Sequence, residues 1–327
     1  MHPTPPPGPD APGQSLPSTL LPSTLGGPGW EPRAATHAAE IGTVWAPYAV
    51  RSHVAPLTDV LLALPGPEQE YPEDPGAWLM LDRPDLPRLR AQTESLATFY
   101  RSQGVTPHLF RPAAPKPNHL FQCDLFFMTP EGAILARMAA RQRAGEERGT
   151  AEALASLGVP ILLTPRGEAL FEGADAMWLD ERTVLVGVGK RTNHAAVRQI
   201  APVLADMGVR VVPVEVGAGV QHLLGVVNLI TPTLAAVIQP HMTPSLRDAL
   251  GAADIELIEL PSDNETEDLR AMNFVTLAPG RIVMPDRCPR TMARYEAHGV
   301  ECHPIDVSEY IKAAGALGCL TGILSRA

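Results

Sequence analysis

Residues 176–213 read AMWLDERTVLVGVGKRTNHAAVRQIAPVLADMGVRVVP. Two apolar runs of strand length, Ala176–Leu179 and Val184–Val188, flank a short charged turn. A helical stretch follows from His194 to Met207, is stopped by Gly208, and leads into the extended run Arg210–Pro213. The order is strand, strand, helix, strand.

The same order recurs on both sides. Upstream, Asp124–Phe127 and Ala133–Ala136 read as strands around a turn at Pro130–Gly132, followed by a helix at Thr150–Leu157 and the extended run Ile161–Thr164. Downstream come Asn228–Pro232, Leu234–Ile238, a helix at Pro244–Ala252 and Glu256–Glu259. Then come Phe274–Ala278, Arg281–Met284, a helix at Arg290–His298 and Glu301–Pro304. At the start, the buried strand Val60–Leu64, an amphipathic helix at Leu86–Gln103 and the strand Thr106–Phe110 make a related unit. Four or five such units, without recognisable identity among them, predict a pseudo-symmetric α/β domain with mixed sheets. A doubly wound parallel sheet would instead alternate single strands and helices.

Outside the units the chain changes character. Residues 1–38 are rich in Pro, Gly, Ser and Thr, with PSTL occurring twice, and cannot bury enough apolar surface to offset ordering. They are expected to form a disordered tail ahead of a single catalytic domain at 39–327. The 327-residue chain carries a formal charge of -10, which opposes nucleic acid and anionic membranes. Its four cysteines are scattered, which argues against a disulfide scaffold or structural zinc. No apolar run reaches the ~20 residues of a membrane span, and no basic-then-apolar leader opens the chain. A cytoplasmic protein is expected. The stretch GVGK at 187–190 lacks the spacing of a phosphate loop.

Four segments could carry chemistry. Cys319 lies in GALGCLT, between glycines and an apolar strand; alone, it reads equally as a small buried residue. Glu172 and Asp175 flank the Gly-Ala of FEGAD, where two acids on a turn are ordinarily solvated. His222 stands in an apolar setting and could serve as acid and base near neutral pH or as a satisfied core residue. Asp124 opens a strand-like run, where an acid is disfavoured unless it faces a cavity or an end.

In their order, these segments resemble the pentein superfamily, and most closely its dimethylarginine dimethylaminohydrolases and amidinotransferases. The resemblance spans about Ala46 to the C-terminus. It rests on Phe121–Asp124, FEGAD (171–175), VLVGVGKRTN (184–193), QHLLGVVNLI (221–230), ETEDLRAMNFVTL (265–277) and SEYIKAAGALGCLT (308–321). It implies a five-bladed α/β propeller whose catalytic groups come from different blades. It also implies a hydrolase that cleaves a C–N bond of a small guanidino substrate through a covalent amidino-thioether. Cys319 takes the nucleophile position, His222 the acid/base position and Glu172 the position that orients the imidazole. Asp124 takes the position that grips the guanidinium, and Arg137 and Arg191 those that hold the substrate carboxylate. The reaction implied needs no metal or organic cofactor. The same fold also hosts amidinotransferases, arginine or agmatine deiminases and non-catalytic binding factors; the sequence leaves a homo-oligomer open.

Three departures bear on substrate choice. Leu224 stands where deiminases usually carry a second guanidinium-binding carboxylate, which favours a substrate with N-substituents. Cys123 and Ala314 stand where the dimethylaminohydrolase branch often has acids. A guanidino compound other than methylated arginine is therefore also compatible with these residues.

Overall fold

The computed structural model describes residues 21–70 and 73–327. Backbone contacts divide the chain into Met1–Ala39 and Glu40–Ala327. Residues 1–20 of the Pro-rich segment lie outside the described residues; the described remainder contains a short helical turn at Ser23–Leu25 and the start of the helix His37–Glu40. Among the described residues, no helix is long and apolar enough to cross a membrane.

The larger unit is built from five three-stranded sheets. The first holds β1 (Leu57–Ala63) and β2 (Thr106–Phe110), linked by the helix Leu86–Ser102. The second holds β3 (Phe126–Thr129), β4 (Gly132–Leu135) and β5 (Ile161–Leu163), with the helix Glu146–Ser156. The third holds β6 (Ala176–Asp180), β7 (Thr183–Val188) and β8 (Arg210–Glu215), with the helix His194–Ala205. The fourth holds β9 (Val227–Thr231), β10 (Leu234–Ile238) and β11 (Glu256–Leu260), with the helix Pro244–Ala252. The fifth holds β12 (Val275–Ala278), β13 (Arg281–Pro285) and β14 (Glu301–Ile305), with the helix Pro289–Ala297. The last strand, β15 (Gly322–Arg326), returns to the first sheet and pairs antiparallel with β1, Val60 opposite Ile323.

Every sheet has one antiparallel and one parallel pair. The helix supplies the long crossover that a parallel pair requires. Middle strands such as β4 (GAIL), β7 (TVLVGV) and β10 (LAAVI) are buried almost throughout. That is why they read as unbroken apolar runs rather than alternating ones.

The sheets close into a ring. β15 packs on β3, and the turn Gln122–Asp124 before β3 packs on the turn Gly173–Asp175 before β6. That turn packs in turn on Leu223–Gly225 before β9; β9 then meets β12, and β12 meets β1. This is the five-bladed α/β propeller that the resemblance implies. It places the segment leading into each blade's first strand at the centre.

Local details differ from the sequence expectations. Asp124 ends a helical turn, and the strand begins two residues later at Phe126. Cys319 sits inside the helical turn Leu317–Leu320 rather than at the mouth of a strand, which starts at Gly322.

Candidate active site

One short segment per blade reaches the centre, and each delivers a polar side chain just before its strand. They are Asp124 before β3, Glu172 before β6, His222 before β9, Asn273 before β12 and Cys319 before β15. Four belong to the set named from the sequence. Asn273 does not.

The FEGAD and RTN segments hold one another. Thr192 donates its hydroxyl to Asp175 Oδ2 at 2.7 Å and accepts the N–H of Glu172 at 3.1 Å. Asn193 caps its helix by accepting the Ala196 N–H at 3.0 Å and also accepts the Leu170 N–H. Asp175 Oδ1 accepts the N–H of Leu223 at 2.9 Å, which ties the third blade's turn to the residue after His222. Gly173 lets the same turn approach the second blade: a Cβ there would collide with the carbonyl oxygens of Cys123 and Phe126.

Glu172 is fully buried and meets His222 Nε2 at 2.7 Å. It also accepts the Ala139 N–H at 3.1 Å and lies 3.4 Å from Arg191 Nη1. Burial alone would raise its pKa. The hydrogen bond and charge of His222, with Arg143 and Arg191, outweigh burial and hold the carboxyl down at about 2. For His222, burial lowers the pKa, but Asp124, Glu172 and Asp175 together raise it to about 9. The imidazole therefore carries a proton at neutral pH. Asp175, raised to about 6, owes its shift first to burial, which His222 and the bonds from Thr192 and Leu223 oppose.

Arg143 is a central cation that the sequence did not single out. It is almost fully buried, donates from Nη1 to Asp124 Oδ2 at 2.6 Å and from Nε to Glu146 Oε2 at 2.9 Å, and stands 3.8 Å from Glu172. Arg143 lies in the turn before the helix Glu146–Ser156, so no helical spacing marks its pairing with Glu146 in the sequence. Asp124 therefore has one oxygen engaged. The other, Oδ1, is buried without a hydrogen-bond partner and lies 3.8 Å from His222 Nδ1. Asp124, Glu172 and His222 are the one group among the described residues whose donor atoms all lie within 4.8 Å of one another, as a metal would need. The Arg143 guanidinium already supplies positive charge to both carboxylates.

His222 and Cys319 line the same cavity of about 180 Å³, together with Leu224, Arg270, Asn273 and Ala314. Cys319 is part-buried. Its thiol is pushed up to about 11 by burial and by the charge of Asp124, opposed by the backbone at Ala316, by Asn273 and by Arg270. Two cavity residues have left-handed backbone, Arg270 (φ 59°) and Ala314 (φ 72°). Arg270 Nε is buried without a partner.

The two arginines assigned by resemblance to the substrate carboxylate are engaged with the protein. Arg137 donates to the carbonyl of Ala169 at 2.9 Å and bridges to Phe171 through its backbone, and Arg191 contacts Glu172. Neither lines the cavity; Arg270 is the one arginine that does among the described residues.

The arginine deiminase family profile matches residues 112–229 and 230–326. An N(G),N(G)-dimethylarginine dimethylaminohydrolase from Mycobacterium tuberculosis is 28% identical over 248 residues, covering 75% of this chain and 78% of the relative. In fold, the chain is similar to a dimethylarginine dimethylaminohydrolase from Pseudomonas aeruginosa solved as a mutant with citrulline. The TM-score is 0.69 at 21% identity, over 83% of this chain and 100% of the other. It is also similar to an inosamine-phosphate amidinotransferase from Streptomyces griseus, with a TM-score of 0.67 at 16% identity, over 85% and 97%.

Proposed function

The chain belongs to the arginine deiminase family, and on that basis we propose that it hydrolyses a C–N bond of a linear amidine, with Cys319 as nucleophile and His222 as acid and base. The observation that carries this reading is the buried, unpartnered Oδ1 of Asp124, 3.8 Å from His222 Nδ1, with that imidazole and the Cys319 thiol lining one cavity. An empty buried acceptor costs free energy until a donor reaches it. A planar cation with N–H groups supplies that donor.

A guanidinium carbon is a poor electrophile because its charge is spread over three nitrogens. Asp124 Oδ1 accepts one N–H and fixes the plane of the group. The incoming cation also offsets the carboxylate charge that holds Cys319 protonated, so binding itself favours the thiolate. The thiol loses its proton to solvent as the cation binds, and the thiolate sulfur forms a bond to the central carbon, giving a tetrahedral adduct. His222 gives its proton to the departing nitrogen, the C–N bond breaks, and an amidino-thioether remains on Cys319. The neutral imidazole then takes a proton from water. The resulting hydroxide adds to the same carbon, the C–S bond breaks, and a ureido product leaves. Glu172 keeps the imidazole oriented and stabilises its charged form.

Leu224 replaces a carboxylate with an apolar wall beside the reacting centre, which suits an N-substituted leaving group. The M. tuberculosis relative is named for such a substrate. Arg270, on the cavity wall, suits an acid at the far end of the molecule, with Arg137 and Arg191 acting on the protein side of the site.

The test is a panel of guanidino compounds, including N-methylated ones, assayed for released ammonia or amine. Wild type and Cys319→Ser are run in parallel. Release by wild type that Cys319→Ser abolishes supports the reading. No release from any compound, or equal release by the variant, refutes it.

A further inference from the structure

We propose that Asn273, the fifth blade's central residue, is a catalytic residue whose carboxamide N–H donates to the attacking sulfur of Cys319 and holds it as thiolate. The inference deepens the hydrolase reading and rests on it for the identity of the nucleophile.

The geometry leaves little freedom. Asn273 Oδ1 accepts the backbone N–H of Cys319 at 3.0 Å, and Nδ2 stands 3.1 Å from Cys319 Sγ. A backbone N–H only donates, so it must face the oxygen of the amide. The NH₂ group is thereby turned toward sulfur, and the two ends of the amide cannot be interchanged. The main chain adds a third tie, since the carbonyl of Asn273 accepts the N–H of Gly318 at 3.0 Å. Gly318 keeps this approach open: a Cβ there would stand 3.3 Å from Asn273 Oδ1 and 3.2 Å from the carbonyl oxygen of Phe274.

A donor directed at sulfur bonds more strongly to S⁻ than to S–H. Burial and Asp124 disfavour the anion, while the backbone at Ala316 and the charge of Arg270 act with Asn273 to favour it. Asn273 is neutral, so it stabilises the thiolate without repelling a cationic substrate, as a lysine or arginine in its place would. Its position also follows from the fold. Four blades place an acid, a second acid, an imidazole and a thiol at the centre, and the fifth places this amide in the corresponding segment.

Asn273→Asp separates this role from a structural one. The carboxylate can still accept the Cys319 N–H, but the donor facing sulfur becomes an acceptor. The measurement is the pH dependence of Cys319 alkylation by iodoacetamide, followed by peptide mass spectrometry so that the other three cysteines do not interfere. Circular dichroism melts accompany it. The expected result is a folded variant whose Cys319 alkylates about tenfold more slowly at pH 7, with its profile moved about one unit to higher pH. Should Asn273→Asp unfold, Asn273→Ala is read in the same way. A folded variant with a profile superimposable on wild type overturns the proposal. The readout does not depend on turnover. A shifted profile in a protein that hydrolyses no guanidino compound sinks the hydrolase reading and leaves the Asn273–Cys319 interaction standing; an unshifted profile in an active enzyme does the reverse.

Discussion

The two halves of the molecule's centre are built differently. On one side, Asp124, Glu172, His222 and Arg143 form a dense, buried ionic network in which almost every oxygen and nitrogen has a partner. On the other, Cys319 rests on one neutral amide, and the neighbouring backbone at Arg270 and Ala314 lies in the left-handed region. Left-handed backbone is costly for residues with a Cβ. The acid/base half is over-determined, since no member can leave without exposing a buried charge. The nucleophile half is lightly held and tuned by the Asn273 amide, the backbone at Ala316 and the charge of Arg270. Orientation and charge are thus fixed in advance on one side, and reactivity is left adjustable on the other.

Removing the sulfur breaks the comparison most severely. Cys319→Ser is expected to reduce turnover by on the order of 10⁴-fold or more. The same change should leave the melting temperature nearly unmoved, because the nucleophile half contributes little to stability. A large loss of Tm in that variant would show the two halves to be alike. The reverse pattern is expected of Arg143→Met. It strands Asp124 and Glu146 as buried charges, at a cost of about 3–5 kcal/mol, read in a urea melt.

His222→Ala should reduce turnover by on the order of 10²–10⁴-fold, and the pH dependence sharpens the point. The folded pKa of His222 is raised to about 9 from an ordinary value of 6.5. Its contribution to stability is therefore complete below pH 6.5 and is lost as pH rises through about 9. Glu172 is lowered to about 2 from 4.5; its contribution is complete above pH 4.5 and is lost as pH falls through about 2. Turnover should fall on the alkaline side near pH 9, as the proton donor is lost. Melts of wild type and His222→Gln across pH 5–10 test this: the alkaline decline in stability should be present only in wild type.

Smaller effects are expected on the nucleophile side. Arg270→Ala should raise KM by about tenfold for a substrate carrying an acid group, with kcat little changed; an unaltered KM would remove Arg270 from the binding wall. The smallest effect is predicted for Ala314→Gly. Relief of the left-handed backbone should outweigh the added chain entropy by about 0.5 kcal/mol and raise Tm slightly.

Much of the architecture is legible in the sequence because each blade is local. In 176–213, strand, turn, helix and strand fall within 38 residues of one another, and their apolar runs and glycine stops mark them. Asp124, Glu172, His222 and Cys319 could be named because acids, imidazole and thiol stand out in otherwise apolar or glycine-rich segments. Their secondary structure was harder to read. Asp124 and Cys319 both lie in single helical turns, too short to leave a periodic trace. Asn273 and Arg143 were not legible. An asparagine amid AMNFVTL carries no mark of function, and its partner Cys319 is 46 residues away. Arg143 looks like one of several arginines in ARMAARQRAGEE until folding buries it against Asp124.

By itself, the sequence determined the repeating unit and the chemical character of most central groups, because hydrophobic period and residue type are local properties of the chain. Tertiary structure alone decided which oxygen of Asp124 stays open, which arginines face the cavity and which amide meets the sulfur. Those outcomes depend on ring closure, through β15 pairing with β1 and each blade packing on the next. Only that closure brings groups from distant segments within hydrogen-bonding reach.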